Sequence, residues 1–162
     1  MNNVIESETD KLMDRTKSRV LPTNKISLVT AKVLGVSFIF IGLFILYYKV
    51  NLLTCILSLS TIVLYLFFYT PLKRKSWLNT SIGAVPGAIP PLGGWTAATN
   101  NLEWGGVAVF LILFFWQHPH FYAIAYMYKE DYKKAGLQML PVIDDGVKSC
   151  LLYTSDAADD RN

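Results

Sequence analysis

Four stretches of the chain, 33–48, 50–72, 76–102 and 104–128, run without a single Asp, Glu, Lys or Arg. A helix needs roughly 20 apolar residues to cross a hydrocarbon core about 30 Å thick, and the last three stretches reach that length unaided. The first reaches it by borrowing 26–32, with Lys32 snorkelling. Backbone in lipid must satisfy its own hydrogen bonds, and uninterrupted apolar runs of this length do so as helices. The mean hydropathy of +0.34 and a hydrophobic content of 52% agree with a membrane protein rather than one soluble domain. The expectation is an all-α, polytopic membrane helical bundle. Its four transmembrane helices fall at about 26–48, 51–69, 79–99 and 104–128, with breaks near 49–51, 73–75 and 101–103.

The net charge of +3 matters less than where the charges sit. With four spans, the segment before Lys32, the Lys73-Arg74-Lys75 turn and the segment after Tyr128 share one face of the membrane, which holds nearly all the Lys and Arg. The positive-inside rule makes it the cytoplasmic face. Basic residues that edge membrane spans and build no domain of their own argue against nucleic acid as a partner. Cys55 falls inside a span and Cys150 in the tail, so no disulfide framework or thiolate metal site is readable.

Candidate chemistry gathers at that face. Asn2, Glu6 and Asp10 recur every four residues, a spacing that stacks side chains on one side of a helix, and Lys11, Arg15, Lys17 and Arg19 follow. Converging carboxylates suit a hard divalent cation such as Mg²⁺, which completes its shell with water and substrate phosphate oxygens. Arg and Lys hold phosphates directly. Taken alone, the same stretch fits an ordinary solvated, salt-bridged helix better, and it is the rest of the chain that favours the cation site. Glu130 and Asp131, beside Lys129, Lys133 and Lys134, form a second acidic pair after the last span. Lys73, Arg74 and Lys75 fit either topology anchors or the cationic part of an anion site facing Glu6 and Asp10.

Inside the spans, Gly83, Pro86, Gly87, Pro90, Pro91, Gly93 and Gly94 predict a third helix that is kinked or interrupted and lines a cavity. Gly35 and Gly42, seven residues apart, fit a close-packed seam or ordinary glycine usage. Thr23 and Asn24 are candidate caps for a helix starting near Lys25, and Pro71 is expected to end the second helix. Gln117, His118, Pro119 and His120 interrupt the last span, and polar groups at that depth belong in a bundle interior or a cavity. His118 and His120, two apart, face different ways, which favours hydrogen bonding within the bundle over metal or haem ligation. Two acidic clusters flanked by cations, beside a cavity-lining helix, would suit one diphosphate bound through bridging Mg²⁺.

These residues resemble the haem O synthases (protohaem IX farnesyltransferases), a branch of the UbiA-type intramembrane prenyltransferases. Asn2, Glu6, Asp10, Met13, Arg15, Thr16, Arg19 and Leu21 are similar to the family motif N-x3-D/E-x3-D-x2-M-x-R-T-x2-R-P-L, with Val20 where proline is usual. The second match is Tyr69-Thr70-Pro71-Leu72-Lys73-Arg74, Asn79 and GAVPGAIPPLGGWTAAT from Gly83 to Thr99. The third is Trp116-Gln117, Pro119-His120-Phe121, Glu130-Asp131-Tyr132, Ala135-Gly136 and Met139-Leu140-Pro141.

The resemblance implies a nine-helix bundle around a central cavity, of which 1–149 would be a part, with helices missing at both ends. Residues 150–162, CLLYTSDAADDRN, depart from the family pattern and resemble translated adapter or vector sequence, a non-native tail. The implied reaction transfers farnesyl from farnesyl diphosphate to a vinyl group of haem b, giving haem O and diphosphate, at the bacterial inner membrane. By carry-over, Asn2, Glu6 and Asp10 would hold one Mg²⁺ and Glu130 or Asp131 a second. Asp10, Arg15, Lys73 and Arg74 would be catalytic, and Arg19, Tyr69, Lys73, Arg74 and His120 would contact substrate. The implied partners are the lipid bilayer and haem A synthase or terminal-oxidase assembly proteins. The second acidic motif lacks the spaced pair of acids found in many relatives, and the fragment alone is expected to be inactive. The alternatives are a prenyltransferase with a quinone or chlorophyll acceptor and a small, non-catalytic membrane helical protein.

Overall fold

The computed structural model describes residues 1–143. Ser27, rather than Thr23 or Asn24, starts the first long helix, α1 (Leu28–Val50): its hydroxyl accepts from the Thr30 amide at 3.1 Å. Asn24 lies instead in the left-handed region at φ 57°. Asn51 caps α2 (Leu52–Leu72), its Oδ1 accepting from the Thr54 amide at 2.8 Å. Pro71 does not end α2 as expected. The turn before it widens to π spacing over Leu64–Tyr69, and the Thr70 hydroxyl donates to the Tyr65 carbonyl at 2.8 Å. A wider turn accommodates the missing proline N–H, so the helix runs on to Leu72. Next come α3 (Asn79–Thr99) and α4 (Trp104–Met127), joined by a short loop in which Asn100 takes φ 60°. Short helical pieces precede and follow the four: Asn2–Ile5, Ser7–Asp10, Lys129–Lys134 and Leu140–Ile143.

Among the described residues there is no β-strand, and α1, α2 and α4 are long and apolar enough to cross a bilayer. The chain is an integral membrane protein of the all-α bundle class. Where four spans were expected, three meet both criteria. The exception is α3, whose 21 residues have the length but whose glycines, prolines and threonines lower its apolarity.

Of the two forms expected for α3, kinked or interrupted, the interrupted one is not seen: the helix is continuous through Pro86, Pro90 and Pro91. It packs between α2 and α4, and none of its residues lines the cavity described below. Small residues permit this: a Cβ on Gly83 would overlap the Tyr69 ring of α2, and one on Gly87 would overlap the Gln117 amide of α4. In return the Trp95 indole covers Gly105 and Gly106 of α4, and its Nε1 donates to Glu103 at 3.1 Å. Side-chain hydrogen bonds join the same helices. The Thr54 and Thr96 hydroxyls lie 2.8 Å apart, Asn51 Nδ2 donates to the Thr96 carbonyl at 2.8 Å, and Gln117 Nε2 donates to the Ala84 carbonyl at 3.3 Å.

α1 has no buried residue. Gly35 faces the Met1 side chain and nothing lies near a Cβ built on Gly42, so the glycine seam does not form among the described residues. The expected boundary at 149/150 and Cys150 lie outside the described residues.

Candidate functional site

At one end of the bundle the N-terminal segment meets the ends of α2 and α4 around a cavity. Its helix breaks at Glu6, yet the four-residue spacing survives in the backbone: the Glu6 amide donates to the Asn2 carbonyl at 2.9 Å and the Asp10 amide to the Glu6 carbonyl at 2.8 Å. Asn2, Glu6 and Asp10 therefore line one cavity of about 460 Å³, as their spacing predicted. Past Asp10 the chain proceeds in turns, not as a longer helix, and the Thr16 hydroxyl fastens the first of them by donating to the Asp10 carbonyl at 2.9 Å.

Cations meet these acids inside the same cavity. Lys73 Nζ donates to Glu6 Oε1 at 2.7 Å while lying 4.5 Å from the centre of the Tyr69 ring, and both members of the pair are mostly withdrawn from solvent. Asn2 Nδ2 donates to the other Glu6 oxygen at 2.7 Å, and Thr70 Oγ1, which lies 2.8 Å from the Tyr65 carbonyl, is also 3.1 Å from Asn2 Oδ1, so its one proton serves one of the two. Asp10, 1% exposed, accepts from Arg19 Nη1 at 3.1 Å. A carboxylate so desolvated needs a partner, and Arg19 supplies it. Arg15 also lines the cavity, its guanidinium 5.1 Å from the centre of the Tyr128 ring. Arg74 stands one step back and donates to the Thr9 hydroxyl, itself a cavity residue.

The opposite wall is apolar. Phe121 and Ile124, three apart on α4, pack with Leu137, Met139, Met13 and Tyr132 in one cluster, and Tyr65 also lines the cavity. None of these was singled out as a site residue from sequence. The signal for Phe121 and Ile124 was their helical spacing; for Leu137 and Met139 it was alternation, since both are buried while Gln138 between them is exposed.

The second acidic pair reaches the same end of the molecule but not the cavity lining. Asp131 Oδ2 accepts from the Arg15 backbone amide at 3.1 Å, and Glu130 is exposed on the outer side. Lys134 pairs with Asp14 at 2.9 Å, so the N-terminal segment is stitched to the one after α4 at two points. The hydrogen bond from Lys17, followed by that from Lys134, pulls the Asp14 carboxyl down to about 2, and Asp14 in turn raises Lys134. His118 hydrogen-bonds to the Phe114 carbonyl at 2.9 Å and the Ser81 hydroxyl at 3.1 Å, in line with the bundle role expected of it. His120 is not brought to the cavity: it is exposed on the outer face of α4, stacked on Trp116 at 4.7 Å between ring centres. Among the described residues no three His, Cys, Asp or Glu side chains cluster closely enough to hold a metal by themselves.

One cavity thus sets paired acids and bases against an apolar wall, a layout suited to a ligand with an anionic head and an apolar body. The chain is 46% identical to the protoheme IX farnesyltransferase of Solibacter usitatus over 149 residues, 92% of this chain and 51% of the relative. It is 49% identical over 144 residues to that of Koribacter versatilis, and 44% identical over 142 residues to that of Francisella tularensis subsp. novicida, covering 46% and 50% of those proteins and 89% and 88% of this one. The chain therefore spans about half the length of the curated relatives it matches. No solved structure matches it. Residues 1–155 match the UbiA prenyltransferase family, so both long segments that meet at the cavity, and the helices between them, fall within the match: the chain belongs to that family.

Proposed function

We propose that this chain carries the diphosphate-binding half of a prenyltransferase that joins farnesyl diphosphate to a vinyl group of haem b, giving haem O and diphosphate. The observation that carries the reading is the two-walled cavity, in which Asn2, Glu6 and Asp10 share space with Arg15, Arg19 and Lys73 opposite Phe121, Ile124, Leu137 and Met139. The similarity to protoheme IX farnesyltransferases supports the choice of prenyl donor and acceptor.

The donor set fits a divalent cation. Two carboxylates and one amide oxygen are hard ligands, and a Mg²⁺ ion takes one or two carboxylates and fills the rest of its shell from water and phosphate, so a protein cluster of three acids is not required. Asn2, Glu6 and Asp10 would hold it, and when bound it supplies positive charge to the diphosphate oxygens. Glu130 and Asp131 are proposed for a second ion at the same rim, Asp131 with one oxygen already accepting from the Arg15 amide.

The residues then divide the work. As the C1–O bond breaks, its electron pair goes to the leaving diphosphate, and Arg15, Arg19 and Lys73, with Arg74 behind them, stabilise the charge that develops there. Tyr69 keeps the Lys73 ammonium in place from below. The apolar wall shields the allylic cation from water that would trap it. The vinyl carbon forms the new C–C bond, and water adds to the cation left beside the porphyrin with loss of a proton. The end bearing these groups holds the Lys and Arg of the turns, and by the positive-inside rule this supports a cytoplasmic orientation in a bacterial inner membrane. His120 takes no part in the diphosphate step; a haem contact there would lie on the outer face of α4.

The test is Asp10→Ala in a chimera that supplies the remaining length of the Solibacter usitatus relative. Haem O formation should fall about a hundredfold or more with membrane insertion intact. Turnover at the original rate would remove Asp10 from the site. Removal of divalent ions with a chelator should abolish activity, and haem b offered against an aromatic acceptor separates the proposed reaction from that of a quinone-type enzyme.

A further inference from the structure

We propose that Asn79 is a positioning residue for the prenyl-diphosphate site, holding the cationic and the apolar walls of the cavity at a fixed spacing. The proposal rests on the prenyltransferase reading above. Asn79 is the first residue of α3 and is wholly buried, at 0% exposure. It does not line the cavity. Its Nδ2 donates twice, to the Ser76 carbonyl at 2.6 Å and to the Gln138 carbonyl at 2.7 Å. One side chain thereby ties the loop after α2 to the strip after α4, 59 residues further on. The tie is double, because the Gln138 amide donates to the Lys73 carbonyl at 2.8 Å.

Each end of that connection reaches a different wall. Gln138 sits between Leu137 and Met139, which both turn into the cavity, so pinning its backbone fixes the inward register of the pair. Lys73 is the residue whose ammonium pairs with Glu6 and lies over Tyr69. A primary amide suits the position because one nitrogen carries two N–H donors. A carboxylate of the same size has only acceptors and would face two carbonyl oxygens; a hydroxyl has a single proton to donate. Loss of the donors would leave the walls free to shift by fractions of an ångström, which weakens binding of a ligand that must touch both.

The experiment compares Asn79→Asp, Asn79→Ser and Lys73→Ala in the same chimera, reconstituted in lipid. Both Asn79 variants should raise KM for farnesyl diphosphate about tenfold with kcat within about threefold, and leave KM for haem b unchanged. The dissociation constant of an unreactive farnesyl thiodiphosphate should rise in parallel. Lys73→Ala reports on the site itself. If it raises the same KM while both Asn79 variants keep the original value, the positioning role is overturned and the site stands. If Lys73→Ala also leaves the KM unchanged, the site reading fails and takes this proposal with it. A lower maximal rate at unchanged KM, or failure of both Asn79 variants to fold, marks Asn79 as a folding residue and overturns the proposal equally.

Discussion

α1 and α3 are of similar length, 23 and 21 residues, and of opposite fate. α1 is the more apolar and buries none of its residues; α3 is rich in glycine, proline and threonine and buries ten. In water the greasier helix would be the core. In lipid, apolar side chains gain nothing by leaving the surface, so burial goes to the helix whose small residues let neighbours approach and whose hydroxyls and amides find partners. Phe38, Phe40 and Phe44 of α1 stay exposed, while Ala84 and Ala88 of α3 are entirely enclosed.

The largest effect that can break this contrast is steric. Gly87→Leu drives a side chain into Gln117 and should destabilise the bundle by about 3 kcal/mol in a detergent unfolding titration, whereas Gly42→Leu, with open space around it, should stay within about 0.5 kcal/mol. Equal losses at the two sites would show that α1 is packed as tightly as α3. A smaller effect sharpens the contrast chemically. Thr96→Val keeps the shape but removes the hydroxyl that Thr54 meets at 2.8 Å, and should cost about 1 kcal/mol in the same titration. The smallest effect belongs to the rim, where water screens charge. Asp14 lies below its ordinary 3.8, at about 2, so its link to Lys17 and Lys134 contributes fully above pH 3.8 and is lost as pH falls through about 2. The stability difference between the original chain and Asp14→Asn should be slight, shrink with added salt and vanish at the acid end of that window.

Much of this architecture can be read from residues alone. The charge-free stretches mark the long helices, and the bounds of α3 match those expected, because lipid gives a charged or polar break nowhere else to sit. The convergence of Asn2, Glu6 and Asp10 follows from a spacing of four, which survives even where the helix breaks at Glu6. What escapes is everything set by a distant partner. Glycine and proline content suggested a kinked or interrupted, cavity-lining α3; the helix is continuous, and its glycines fit it against Tyr69 and Gln117, a contact invisible without the neighbouring helices. Leu137 carries no motif and Met139 only a family match that assigns it no role, and the backbone between them is held by Asn79 and Lys73 gripping Gln138. His120 shares a motif with Gln117, and three residues apart they lie on neighbouring faces of α4, yet Gln117 is buried against α3 while His120 is exposed beside Trp116.

The tie between the Arg15 amide and Asp131 joins residues 116 positions apart, and it orders events during synthesis. A ribosome makes the acidic segment well before its distant partners, which emerge only after α4. Until then Asp14 lacks Lys134 and the Arg15 amide lacks its acceptor. The pocket therefore cannot close until the segment after α4 has been made, however the helices in between are inserted.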